Sequence, residues 1–307
     1  MSKITFIDDN GTFVIRNPEN YSGLYFPLAG EQGIKASITP NLGGDSKLDQ
    51  NHFLLEPVSI ENLHNNKNTR NFWCMIDGNG AWSVTGSSAR QEYEKFTGQQ
   101  DESELKAGFM WQELTRTSKE FGLQAVTSSF VSIDGSAEIM LVEIKNISDR
   151  PLTFTPIAAV PIYGRSADNI RDHRHVTSLL HRTQVTESGV YVKPTLSFDE
   201  RGHQKNDTAY FVSGFDENGQ YPADFYPTVE SFIGEGGSFL NPEAVRIRKK
   251  GYRPGDTIDG KESVGAFAFE ERALKPGETA GYIVVLGAVK EPDCRKAADK
   301  NAVIPET

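Results

Sequence analysis

The chain has 307 residues, 37% of them hydrophobic, and a formal charge of −10. One large β architecture or two average domains fit that length, and no apolar run approaches the about 20 residues of a membrane-spanning helix. The acidic balance argues against nucleic acid and anionic membrane as partners, since both reward a basic surface. The N-terminus shows no apolar leader, and Cys74 and Cys294 stand too far apart for a metal or redox motif. The expected location is the reducing cytoplasm.

In chain order, β-rich runs at 3–8 and 12–16 flank Asp9-Asn10-Gly11 and predict a hairpin. Residues 17–30 and 40–51, rich in Gly, Asn, Pro or Asp, read as loops around a strand at Ile34–Thr39. Asn71–Asp77 and Ala81–Thr85 form a second hairpin across Gly78-Asn79-Gly80. Strands follow at Gln91–Phe96, Gly108–Arg116, Phe121–Ile133, Glu138–Lys145 and Leu152–Val160. Further alternating segments run from Val185 to Val192, Thr208 to Ser213, Ser263 to Phe269 and Tyr282 to Ala288. Asp224–Ile233 and Pro242–Lys249 read as short helices. Together these residues predict an all-β, minor-α chain, a large antiparallel β-sandwich spanning 1–290, with 291–307 as a tail.

Between strand-like segments lies Tyr163–Arg182, the densest polar stretch of the chain. It holds Arg165, Asp168, Arg171, Asp172, His173, Arg174, His175, His181 and Arg182. Arginine and histidine are costly to order unless paired or used, so the run is either a structural network of Arg–Asp pairs or a binding surface. His173 and His175 could share one face of a strand as metal ligands do, yet no third ligand follows at useful spacing, and no metal is expected. Trp73, Trp82 and Trp111 have sandwich core as the first reading and sugar stacking as the alternative, with Trp82 the leading stacking candidate. Gly234-Glu235-Gly236-Gly237 lacks the spacing of a dinucleotide or phosphate loop, so no cofactor is expected.

Several segments, taken in order, resemble one family. They are Phe72-Trp73 with Gly80-Ala81-Trp82-Ser83-Val84-Thr85, Gly108-Phe109 with Leu114-Thr115-Arg116, and Glu143 to Pro151. Tyr163-Gly164, Phe198 to Arg201, Glu230 to Gly237 and Leu274 to Glu278 complete the set. The set is similar to the N-terminal domain of the glycoside hydrolase family 94 phosphorylases, which include cellobiose, chitobiose and β-1,2-oligoglucan phosphorylases. Arg165–His175 resembles the β-1,2-oligoglucan branch most.

The resemblance implies a galactose-mutarotase-like super-sandwich and carbohydrate as partner. It also implies that the general acid and the site for inorganic phosphate, the parent's co-substrate, belong to a downstream helical barrel toward which 291–307 would lead. The expectation is a non-catalytic domain that shapes the barrel's active-site mouth and helps form a homodimer. In that setting Arg165, Asp168, Arg171, Asp172, His173, Arg174, His175 and Arg182 would touch the barrel, a sugar or phosphate. Two alternatives stand beside it. One is a stand-alone carbohydrate-binding protein using Trp82. The other is a sugar 1-epimerase, pairing one of His173, His175 and His181 with Glu143 or Glu230 as acid and base.

Overall fold

Alternating burial along Trp111–Ser118 and Leu123–Val131 sends every second side chain inward, and the two strands pair antiparallel with Leu114 opposite Thr127. These strands belong to a computed structural model that describes residues 4–290, apart from 22, 32, 61–64, 77, 134–136, 172, 173, 200 and 201. Among the described residues they sit in an eleven-stranded sheet. Its order is Thr5–Phe6, Phe13–Arg16, Glu102–Gly108, Trp111–Ser118, Leu123–Val131, Ala137–Asn146, Thr279–Lys290, Thr208–Asp216, Gly189–Val192, Arg182–Val185 and Thr257–Asp259. A six-stranded sheet runs Asp224–Thr228, Ser263–Ala268, Leu152–Ile162, Asn71–Ile76 and Gly80–Ser83, with Arg272–Leu274 paired to Leu152–Ile162. Phe26–Ala29, Lys35–Ile38, Ser46–Asp49 and His52–Leu55 make a four-stranded sheet.

The main core lies between the two large sheets. Phe72 and Cys74 from one face Met140, Val142 and Tyr282 from the other, with the Phe72 and Tyr282 rings 5.3 Å apart. Close packing of aromatic and branched side chains from both inner faces is what holds a sandwich together. A second cluster, around Trp73, Ile157, Tyr226 and Phe232, covers the other side of the six-stranded sheet with helices Val229–Ile233 and Glu243–Arg246. The fold is the large antiparallel super-sandwich that the sequence predicts. No helix among the described residues is long and apolar enough to cross a membrane.

Several local expectations are corrected. Gln91–Phe96 is not a strand: Ala89–Glu94 is a helix, α1, whose first turn is closed by the Ser88 hydroxyl accepting from the Gln91 N–H at 3.1 Å. Gly108–Arg116 is two strands, because the chain reverses at Phe109-Met110 with Met110 in the left-handed region at φ 63°. Asp224–Ile233 divides into a strand and a helix at Thr228, the last strand residue, where a Thr228–Ser231 capping box starts the helix. The helix expected at Pro242–Lys249 shrinks to Glu243–Arg246. Both expected loops contain strands, Phe26–Ala29 and Ser46–Asp49. The tail at 291–307 lies outside the described residues.

Candidate functional site

The polar run begins where Leu152–Ile162 leaves the six-stranded sheet. Gly164 turns the chain at φ +64°, and a Cβ there would meet the Tyr210 ring at 3.4 Å and the His181 imidazole at 3.5 Å. Arg165 is 7% exposed; its carbonyl accepts from the Phe53 N–H at 2.8 Å and its guanidinium lies 5.2 Å from the Tyr163 ring centroid. Asp168 is exposed in a short 3-10 turn, Ala167–Arg171. Arg174 and His175 open the helix Arg174–Ser178, so the strand-like spacing expected there is replaced by helix. Asp172 and His173 lie outside the described residues, as do the side chains of Arg171, Arg174 and His175.

The run ends in two groups held by the protein itself. His181 is fully buried with Nδ1 3.1 Å from Ser263 Oγ, which is 2.9 Å from Thr183 Oγ1. Arg182 Nη1 donates to the carbonyls of Leu179 and His181 at 3.0 and 2.9 Å, and its Nε stands 3.6 Å from Asp259 Oδ2. Among the described residues no three His, Cys, Asp or Glu side chains converge as a metal site requires.

Of the acid–base candidates, His173 and the side chain of His175 lie outside the described residues, and Glu143 and His181 do not meet. Three strands separate Ala137–Asn146, which carries Glu143, from Arg182–Val185, which follows His181. At about 4.8 Å per strand, those two strands are about 19 Å apart. Glu143 is exposed while His181 is buried. Glu230 is exposed as well and accepts from Lys261 Nζ at 2.9 Å, a bond that holds its carboxyl below the ordinary range. Trp73 and Trp82 are core residues, 3% and 1% exposed, and Trp82 Nε1 donates to Asp101 Oδ2 at 2.8 Å.

Sequence reasoning missed the polar network around α1. Gln91 reaches from α1 to Asp101 Oδ2 at 2.9 Å, the same oxygen that Trp82 uses, and to the Ser83 carbonyl at 2.8 Å. Behind the helix, Arg116 Nη1 donates to Glu19 Oε1 at 3.1 Å, both side chains being almost fully buried. Glu19 also accepts from Ser103 Oγ at 2.6 Å and Gln100 Nε2 at 3.1 Å. Burial opposes ionisation of Glu19, but the Arg116 charge and these donors overcome it and hold the carboxyl below its usual value. Two clefts flank α1. One of about 290 Å³ is bordered by Arg90, Gln91 and Asp101. The other, about 340 Å³, is bordered by Tyr21, Tyr25 and Phe96. The Ser88-Ala89-Arg90-Gln91 capping pattern was the signal that could have located the helix.

Comparison with known proteins agrees with this architecture. The family model described as "Glycosyl hydrolase 94, supersandwich domain" matches residues 43–303. Among curated proteins none matches the chain in sequence. In shape, a bacterial glucoamylase complexed with acarbose is similar at TM-score 0.45 and 9% identity, over 98% of this chain and 36% of that one. A polysaccharide lyase is similar at TM-score 0.42 and 10% identity, over 85% of this chain and 33% of that one. A protein assigned as an aldose 1-epimerase of Escherichia coli K12 is similar at TM-score 0.41 and 11% identity, over 87% and 99%. The chain therefore spans about a third of the glucoamylase and of the lyase. With all three scores below 0.5, the family match alone carries the assignment. The chain belongs to the glycoside hydrolase family 94 supersandwich domains and is a carbohydrate-active enzyme domain.

Proposed function

We propose that this sandwich is the non-catalytic domain of a glycoside-phosphorylase-like enzyme, one that cleaves β-linked gluco-oligosaccharides with phosphate to give a sugar 1-phosphate. Its task in that enzyme is to support the mouth of a helical-barrel active site and to help assemble a dimer. The observation that supports this reading is the separation of one candidate acid–base pair: Glu143 and the strand following His181 are about 19 Å apart, and His181 bonds Ser263. Inverting phosphorolysis needs a general acid on the glycosidic oxygen while phosphate attacks the opposite face. Membership of the family supports the carbohydrate setting.

That separation weighs against an independent 1-epimerase built on Glu143 and His181, since acid and base must reach one bound sugar. The polar run supplies a surface for the barrel or for an incoming substrate through the exposed Asp168 and Arg182, with Arg165 buried. The test is to incubate the purified chain with β-linked gluco-oligosaccharides and phosphate. No sugar 1-phosphate is expected; phosphate-dependent release that survives repurification would overturn the proposal.

A further inference from the structure

The larger cleft beside α1 has a wall of aromatic rings that the solvent side of a sandwich does not need. Tyr25 is 39% exposed and Phe96 72%, and the half-buried Tyr21 borders the same cleft. Phe96 is further distinguished by a left-handed backbone, φ +65°, a conformation that a bulky side chain adopts at a cost. Its N–H donates to Gln100 Oε1 at 3.0 Å, and Gln100 is itself held by Glu19 and Asn20. The network thus fixes a strained residue whose ring gains little from the core. Phe96 follows the α1 C-cap Lys95, where a left-handed residue, most often glycine, closes a helix; here the place is held by an exposed ring.

The floor of the cleft is polar. Asn41 borders it and also borders a gap of about 10 Å³ that opens against Arg116. The buried Asn41 Oδ1, Arg116 Nε and Arg116 Nη2 have no hydrogen-bond partner among the described residues. Arg116 is 2% exposed, and its guanidinium packs so close to Gly86 that a Cβ there would lie 2.4 Å from Nη2. An acceptor-only group would satisfy the two donors and leave Asn41 unpaired. A hydroxyl both donates and accepts, so it suits either kind of group.

Charge narrows the ligand further. Glu19 is neutralised by Arg116, and Glu92 has Lys95 at 3.9 Å. Among the described residues no surplus cation borders the cleft, which disfavours phosphate or a sugar phosphate there. A volume of about 340 Å³ is within the range of small-ligand sites.

We propose that this cleft is a binding subsite for one neutral pyranose unit of a glucan, its C–H face on Tyr25 and Phe96 and one hydroxyl directed toward Asn41 and Arg116. The inference rests on the carbohydrate reading above, and assigns a ligand site to residues outside the Arg165–Arg182 run. In the complete enzyme such a site would hold a distal part of the chain being cleaved.

The experiment is calorimetric titration of the purified chain with a β-linked glucotetraose, in the absence of phosphate, beside glucose 1-phosphate as the anionic probe. Saturable binding of the neutral probe is expected, with no stronger binding of the anion. Phe96→Gly removes the ring and the strain together, so it should weaken binding by about fivefold or more without lowering Tm. Tyr25→Ala should weaken binding similarly, and Phe109→Ala, at an exposed hairpin tip, should leave it unchanged. Absence of saturable binding overturns the proposal. So does wild-type affinity in both Phe96→Gly and Tyr25→Ala, which would leave the carbohydrate reading standing and move the site elsewhere.

Discussion

Arg70 and Glu138 form a two-pronged buried ion pair, Nε to Oε1 at 2.7 Å and Nη2 to Oε2 at 2.8 Å, each side chain 1% exposed. Arg70 precedes the strand Asn71–Ile76 of one large sheet, and Glu138 lies in Ala137–Asn146 of the other. The same guanidinium donates to the carbonyls of Gly44 and Asp45, at the entry to the four-stranded sheet. One side chain therefore fixes the mutual placement of three sheets. Removing either partner strands a charge in the core.

Glu138→Ala is expected to destabilise the chain by about 3–5 kcal/mol, and Arg70→Met combined with Glu138→Leu to recover most of that loss. Urea unfolding of the two variants beside the wild type measures both. Equal stability of Glu138→Ala and the wild type would mean that the pair does not hold the sheets.

Acid should act through Glu19. Its folded pKa lies below the unfolded value, so the stability it contributes is present above the unfolded pKa, near 4.3, and is lost as pH falls through the folded one. Glu19→Gln is expected to lower stability at pH 7 and to flatten the loss below about pH 4. Thermal melts of both proteins between pH 2 and 7, spaced by about half a unit, give the comparison; parallel curves would remove Glu19 from the acid response.

Gly86 permits the approach of Arg116 to the α1 network. It has φ +78°, and any side chain would strike the guanidinium. Gly86→Ala should cost more than about 1 kcal/mol through backbone strain and displacement of Arg116. A melting temperature equal to wild type would show that Arg116 is free to move aside.

Cys74 is fully buried, and burial pushes its thiol well above the usual range. In a Cys294→Ser background, a thiol reagent should modify Cys74 only as fast as the protein unfolds. Rapid labelling of the folded chain at neutral pH would contradict its place in the core.

Strands with strict alternation and turns with strong signatures were legible in the sequence. Asn10-Gly11 marks the hairpin in which Thr5 pairs with Val14, and Gly78-Asn79-Gly80 marks the one joining Asn71–Ile76 to Gly80–Ser83. Gln91–Phe96 misled because a six-residue helix with no buried residue has no apolar stripe to reveal its period. Its Ser88–Gln91 cap carried the information instead. The residues joining the sheets were not legible at all. Arg70 meets Glu138 across 68 positions and Arg116 meets Glu19 across 97, and no local pattern separates a buried charge from a solvated one. The Arg165–Arg182 run drew notice for its charge, whereas the aromatic cleft is assembled from three distant segments, each ordinary alone.

Glu143 and His181, about 19 Å apart by strand spacing, do not act together on a sugar in this sandwich. The most direct measurement is anomerisation of α-D-glucose followed by polarimetry with the purified chain at high concentration. Equilibration at the buffer rate is expected, unchanged by Glu143→Gln or His181→Asn. Saturable acceleration abolished by either substitution would contradict it.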